Sequence, residues 1–175
     1  LLARANGWWQ STGEHPTLSC WSRWSGAGDW DAESLLGRHP GLAESQVGIR
    51  GTATNHLLGE GWWAWWIALK GGDISIGVVI DQRLAQWPEG DLPVGEKLRE
   101  FLSRHAAARE MLEGARFVEG DVHFRRNLPY CSDVQAGDGF VLTGDASAFL
   151  DPFYSPGMDW ISFTVSSAVR TILAW

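Results

Sequence analysis

Two carboxylates and a run of turn formers are concentrated in Gly144-Asp145-Ala146-Ser147-Ala148-Phe149-Leu150-Asp151-Pro152-Phe153-Tyr154-Ser155-Pro156-Gly157-Met158. An apolar run just before it, Phe140-Val141-Leu142, reads as a short buried strand that delivers the chain to the Gly-Asp pair. A helix-like segment opens at Gly157. A carboxylate at a strand exit can accept hydrogen bonds from the hydroxyls of a ligand, and a helix start offers free N–H groups and positive potential. Pro152 and Pro156 stiffen the loop, and Gly157 allows a planar group to approach closely. The same Gly-Asp pair also suits a helix N-cap or an Asx turn, so residue types alone leave both readings open.

A second constellation lies in Thr54-Asn55-His56-Leu57-Leu58-Gly59-Glu60-Gly61-Trp62-Trp63-Ala64-Trp65-Trp66-Ile67-Ala68-Leu69. In a strand, Trp63, Trp65 and Ile67 project from one face. Two indoles on one face make either an apolar wall that shields a reactive species from water or a packed sheet surface. Other chemistries lack their residues. Gly59-Glu60-Gly61 precedes an aromatic strand instead of opening a helix, so it reads as a turn and not as a dinucleotide fingerprint. Gly-x-Ser-x-Gly is absent, and the five histidines show no metal-ligand spacing, so no metal is expected.

The elements that must position these residues are mixed. Thr17–Trp24 has strand composition, and a short helix is expected at Ala32–Gly37 within the polar, Gly/Pro-punctuated stretch 29–48. Trp62–Leu69 and Ile74–Asp81 flank Lys70-Gly71-Gly72-Asp73 as a hairpin. Glu96–Gly114 is the best helical region, Arg116–Arg126 alternates as a strand, and Phe140–Thr143 is a last strand. Beyond Gly157, Trp160, Ile161, Phe163, Thr164, Ala168 and Ile172 predict a buried helix. The expected class is α/β or mixed α+β, without internal repeats.

The chain has 175 residues and a net charge of -7, with no Lys/Arg run, which speaks against nucleic acid or an anionic membrane as partner. No apolar run reaches the ~20 residues of a membrane span. Cys20 and Cys131 sit in no paired motif and read as free thiols of a reducing compartment, the cytoplasm. The chain starts without Met and stops at Trp175 inside a helical pattern, so it is expected to be a piece of a longer protein.

The stretch from Gly144 to Gly157 resembles the second flavin-binding motif of FAD-dependent monooxygenases and flavin-dependent halogenases. Trp63-x-Trp65-x-Ile67 resembles the halogenases' Trp-x-Trp-x-Ile-Pro signature, with Ala68 in place of the proline. Thr54 through Asp81 looks like the middle of tryptophan-halogenase-like oxidoreductases. The resemblance implies a partial FAD-binding fold of the p-hydroxybenzoate-hydroxylase/halogenase type. Residues 1–135 would be a substrate-binding sheet region with inserted helices, and 136–175 the returning strand-turn-helix of the FAD domain. The first βαβ unit, with its pyrophosphate turn, would lie upstream, and residues 1–175 alone are therefore expected to bind FAD poorly.

By the same likeness FAD is the cofactor. Gly144, Asp145, Asp151, Pro152, Ser155, Pro156, Gly157 and Met158 would border it, Asp145 at the ribityl chain and the N–H groups of Gly157 and Met158 at the pyrimidine edge of the ring. Trp63, Trp65, Ile67 and Tyr154 would line the tunnel and the substrate side. The family's catalytic lysine belongs to the upstream part, so no catalytic residue is assigned in this chain. The implied activity is oxidation or halogenation of an aromatic or electron-rich small molecule, with O2, halide and a separate flavin reductase as partners. Two departures bear on the halide. Pro156 has no N–H where the family offers a halide donor, and Tyr154 replaces the glutamate of tryptophan halogenases, as in phenol- and pyrrole-type enzymes. Two alternatives share some of the features. One is an FAD-dependent reductase of the geranylgeranyl-reductase-like type, and the other a Trp-rich ligand-binding module without cofactor.

Overall fold

The computed structural model describes residues 2–44 and 48–174; positions 45–47 of the polar stretch, and the end residues Leu1 and Trp175, lie outside the described residues. In chain order the first elements are helix α1 (Leu2–Ala5), strands β1 (Trp9–Ser11) and β2 (Thr17–Ser25), and helix α2 (Glu33–Arg38). Strands β3 (Thr54–Gly59), β4 (Trp62–Ala68) and β5 (Ile74–Asp81) follow, then helices α3 (Val94–Leu102) and α4 (Ala106–Met111). The remainder comprises β6 (Arg116–Phe117), β7 (His123–Arg126), β8 (Tyr130–Ser132), β9 (Ala136–Gly137), β10 (Phe140–Val141), β11 (Ala148–Phe149) and helix α5 (Pro156–Leu173). The class is mixed α/β, as expected. The chain divides into two compact units, Ser19–Arg125 and Leu1–Leu18 with Arg126–Trp175.

The Ser19–Arg125 unit is built on a sheet of order β3-β4-β5-β2-β6, with β7 also paired to β2. The expected hairpin is present: β4 and β5 are antiparallel with Ala64 opposite Val78 and Trp66 opposite Ile76, and both turn glycines, Gly71 and Gly72, have positive φ. The period-two alternation buries Ala64, Trp66, Ile76, Val78 and Ile80 on one face. Helix α3 packs on β5 and buries Leu98, Phe101 and Leu102, with Phe101 meeting Trp62 edge-on at 5.5 Å. Each such side chain removed from water contributes about 2 kcal/mol.

Two elements of this unit are shorter than the sequence predicts. The helical region 96–114 is a pair, because His105 takes an extended backbone and its Nδ1 accepts a hydrogen bond from the Ala108 N–H (3.4 Å) as N-cap of α4. Arg99 joins the pair by donating to the carbonyls of Leu112 and Ala115, both at 2.8 Å, which satisfies main-chain acceptors at and beyond the end of α4. The strand expected over 116–126 is interrupted between β6 and β7, where Gly120 has φ +78° and the Asp121 N–H turns back to the Val118 carbonyl (3.1 Å).

The other unit carries the three-stranded sheet β1-β8-β11, the short pair β9-β10 and α5. The strand expected over 140–143 covers only Phe140–Val141, held by Ala136–Gly137. Helix α5 forms where expected, but it is not a buried helix among the described residues. Only Ala168 is buried, while Phe163 is 60% and Ile172 66% exposed. Met158, Ile161, Val165, Val169 and Ile172 share one side of α5 at helical spacing, and all of them are exposed. Among the described residues no helix is long and apolar enough to cross a membrane.

Candidate functional site

The Gly-Asp pair occupies a single 3-10 turn, Gly144–Ala146, that is clamped onto α5. Gly144 donates its N–H to Thr164 Oγ1 (2.9 Å), and its carbonyl accepts from Trp160 Nε1 (3.2 Å) and Ser147 Oγ (2.8 Å). Its φ is +53°, and a Cβ there would come within 2.6 Å of Ile161. Only glycine permits both this backbone and this approach to the helix. The turn therefore fixes the next residue, Asp145, beside the start of α5.

Asp145 is exposed, and among the described residues its carboxylate makes no hydrogen bond or ion pair. It therefore serves as neither N-cap nor Asx turn. The cap position of α5 is Ser155, in left-handed conformation and without a side-chain hydrogen bond. The Asx role belongs to Asp151, whose Oδ1 accepts from the Phe153 N–H (2.9 Å). Tyr154 and Ser155 are consecutive non-glycine residues at φ +56°, a conformation that costs ~1–2 kcal/mol per residue. Such strain is concentrated where a loop has a task beyond packing.

Pro156 is at the first helical position, where a missing N–H has no intrahelical partner to lose. The Met158 N–H donates to the Ser155 carbonyl (3.1 Å), whereas the Gly157 N–H has no partner among the described residues. A Cβ on Gly157 would meet little besides the Asp145 carboxylate, at 3.9 Å. Acceptor and donor thus stand side by side at the mouth of a cleft of about 670 Å³.

Asp145, Asp151, Pro152, Ser155, Pro156, Gly157 and Met158 line this cleft; Gly144 lies behind it as the clamp, and Tyr154, 74% exposed against Phe153, points elsewhere. Its remaining wall includes Phe149 of the same stretch, Trp160, Ile161 and Phe163 of α5, and three residues that no motif singled out, Thr12, Tyr130 and Cys131. Tyr130 donates its hydroxyl to the Asp145 carbonyl (2.6 Å) and stacks on Phe149. Burial, and then the charge of Asp145, hold that phenol above its ordinary pKa, so it stays a donor. Thr12 Oγ1 is buried and has no hydrogen-bond partner among the described residues. Thr12 follows β1, Tyr130 and Cys131 are on β8 and Phe149 is on β11, and the pairing of Ser11 with Tyr130 and of Phe149 with Tyr130 brings these four together.

Trp63, Trp65 and Ile67 share one face of β4 in the other unit, as the alternation predicts, and the two indole centroids are 5.5 Å apart. Trp65 Nε1 donates to Ser75 Oγ (3.2 Å), and His56 meets Trp63 edge-on. Both indoles are half-buried, whereas Trp66 on the opposite face is sealed against Trp30. Both cysteines are free. Burial pushes the Cys20 thiol up to about 12, so it is inert, while Cys131 is half-buried on the cleft wall. No group of three or more His, Cys, Asp or Glu is gathered as a metal cage would require among the described residues.

No protein-family model matches the chain. Flavin-dependent halogenase ascD of Acremonium egyptiacum is 32% identical over 121 residues, which cover 67% of this chain and 22% of that protein. Tryptophan 2-halogenase of Chondromyces crocatus is 28% identical over 137 residues, 77% of this chain and 26% of that one. The chain therefore spans about a quarter of the length of these relatives. Among solved structures, halogenase PltM superposes with a TM-score of 0.73 at 23% identity, covering 89% of this chain and 31% of its own. A flavoprotein/dehydrogenase from Cytophaga hutchinsonii superposes at 0.64 and 20% identity, over 91% of this chain and 35% of its own. PltM has also been solved with phloroglucinol and FAD. In sequence and in fold, the chain is flavin-dependent-halogenase-like over the part of those enzymes that it spans.

Proposed function

We propose that the cleft at the start of α5 holds the ribityl chain and isoalloxazine ring of FAD, and that the chain serves a halogenase-like oxidation of an aromatic or electron-rich small molecule. The carrying observation is the pair of groups without partners among the described residues at an otherwise apolar cleft: the Asp145 carboxylate and the Gly157 N–H. A cleft of this volume suits a cofactor-sized ligand, and a few convergent polar groups in an apolar lining give orientation. Asp145 would accept from ribityl hydroxyls. Gly157 would donate to the ring's carbonyl edge, where the helix start favours the negative charge of the reduced form. Pro152, Pro156, Met158 and Trp160 would keep water from the ring face.

Bound FAD, reduced and then exposed to O2, supplies the oxidising equivalents that convert halide to an electrophilic halogen or hydroxylate an arene. The relatives' names support this reading over a lipid-type FAD reductase and over a cofactor-free Trp-rich module. The half-buried wall of Trp63, Trp65 and Ile67 would belong to the substrate side, and a separate flavin reductase would deliver reduced cofactor. Free thiols agree with a cytoplasmic setting. Pro156 leaves one donor fewer for a halide at this helix start, which favours hydroxylation or a halide held elsewhere. Titration of the chain with FAD and with riboflavin, followed by flavin fluorescence, tests the assignment. Both are expected to bind, FAD weakly and with riboflavin keeping most of the interaction; no uptake of either contradicts it.

A further inference from the structure

The half-exposed face of the sheet extends the tryptophan wall beyond the two indoles of β4. Register places His56 opposite Trp65 and Trp65 opposite Gly77. A Cβ on Gly77 would collide with the six-membered ring of Trp65 and with Trp21 Cβ, so the Trp65 ring lies across β5 over that glycine and reaches toward Trp21 on β2. Trp21 in turn stacks on His123 of β7, with centroids 5.0 Å apart and planes 23° apart. One row of rings thus crosses the sheet and ends on an imidazole.

That imidazole is held in a defined way. Asp121 Oδ2 accepts from the Arg23 N–H (2.8 Å) and from Arg23 Nε (3.1 Å), while Oδ1 lies 3.4 Å from His123 Nε2. The hydrogen bond from the Arg23 main chain, above all, holds the Asp121 carboxyl below its ordinary range, so it is an ionised, acceptor-only partner. The tautomer that donates its Nε2–H to this carboxylate leaves Nδ1 as a lone-pair acceptor. Among the described residues Nδ1 has no partner, and the side chain is 42% exposed.

We infer that Trp21 and His123 form a recognition site for a phenolic arene, the ring lying on the indoles and its hydroxyl donating to His123 Nδ1. The inference rests on the proposed oxidation of an aromatic substrate and gives that substrate a chemistry: at least one free phenolic O–H. Stacking on indole accepts any planar arene, whereas an unprotonated Nδ1 discriminates a hydroxyl from its methyl ether, which has no proton to give. Asp121 is a positioning residue here, through the tautomer it fixes.

Phloroglucinol and its trimethyl ether are the probes, titrated into the chain while the His123 and Trp21 ring resonances are followed by NMR. Phloroglucinol is expected to shift both sets, and His123→Ala to weaken it about fivefold, the size of one neutral hydrogen bond. The ether is expected to bind wild type and His123→Ala alike. His123→Asn, which retains a side-chain acceptor, should recover part of the loss. Equal weakening of both probes by His123→Ala, or no shift at His123 and Trp21, overturns the inference. A chain that takes up flavin but shows no His123 effect loses only this site. One that discriminates the two arenes yet takes up no flavin loses only the cofactor reading.

Discussion

The sheet of the Ser19–Arg125 unit and the strand-turn-helix of the other unit treat their polar groups in opposite ways. In the sheet unit, His123 Nδ1 apart, the working polar side chains are engaged by protein: Arg99 by two carbonyls, and Asp121 by Arg23 and His123. The indole N–H groups of Trp24, Trp30 and Trp66 have no acceptors among the described residues, but they are sealed in the core, where each detracts from stability by ~1–3 kcal/mol. In the strand-turn-helix the groups without partners among the described residues, the Asp145 carboxylate and the Gly157 N–H, border a cleft that a ligand can enter. An unsatisfied group in a sealed core is a structural cost. The same group at an open cleft is a binding contact without its ligand.

The contrast breaks if the two regions respond alike to truncation. Trp66→Ala, at a side chain only 1% exposed, should have the largest effect, about 3–5 kcal/mol lost in urea unfolding. Asp145→Ala should change the same measurement by less than ~0.5 kcal/mol, since its carboxylate holds nothing in place. Comparable losses would mean that Asp145 is structural.

A thiol titration at mildly alkaline pH gives the next largest effect. Cys131 should react at a rate slowed by added riboflavin, and Cys20, pushed up to about 12, should react only on unfolding. Rapid reaction of Cys20 would contradict its burial, and no protection of Cys131 would separate that residue from the cleft. The smallest effect concerns acid. Asp121 has a folded pKa below its ordinary 3.8, so the folded state binds a proton less readily than the unfolded one. Its contribution is complete above that ordinary value and is lost as pH falls through the range beneath it. Melting temperature should therefore fall less steeply below pH 4 in Asp121→Asn than in the wild type; identical slopes would remove Asp121 from the account.

Much of this was legible in residue order because local rules and tertiary structure agree. Alternation set the shared face of Trp63, Trp65 and Ile67, and the glycine pair set the β4–β5 turn. The start of α5 was expected at Gly157, one residue after the observed Pro156, because the proline reads equally as a loop stiffener and as a first helical residue. Legibility ended where long-range pairing decides. Thr12, Tyr130 and Phe149 reach the cleft only through the pairing of β1 and β11 with β8, and no spacing announces that. Trp160 and Thr164 were read as packing residues of the helix, yet they are what holds the Gly144 turn. The split at His105 was hidden because imidazole is an uncommon N-cap, and the helical period of the apolar residues runs through it.

The central claim is that Asp145 is a ligand contact and not a structural one. It is tested most directly by titrating riboflavin into the wild type and Asp145→Ala and comparing dissociation constants from flavin fluorescence. A lost hydrogen bond to a charged acceptor is worth about 1.5–3 kcal/mol, so the variant should bind at least ~10-fold more weakly with an unchanged melting temperature. Equal binding by the two proteins would contradict the account.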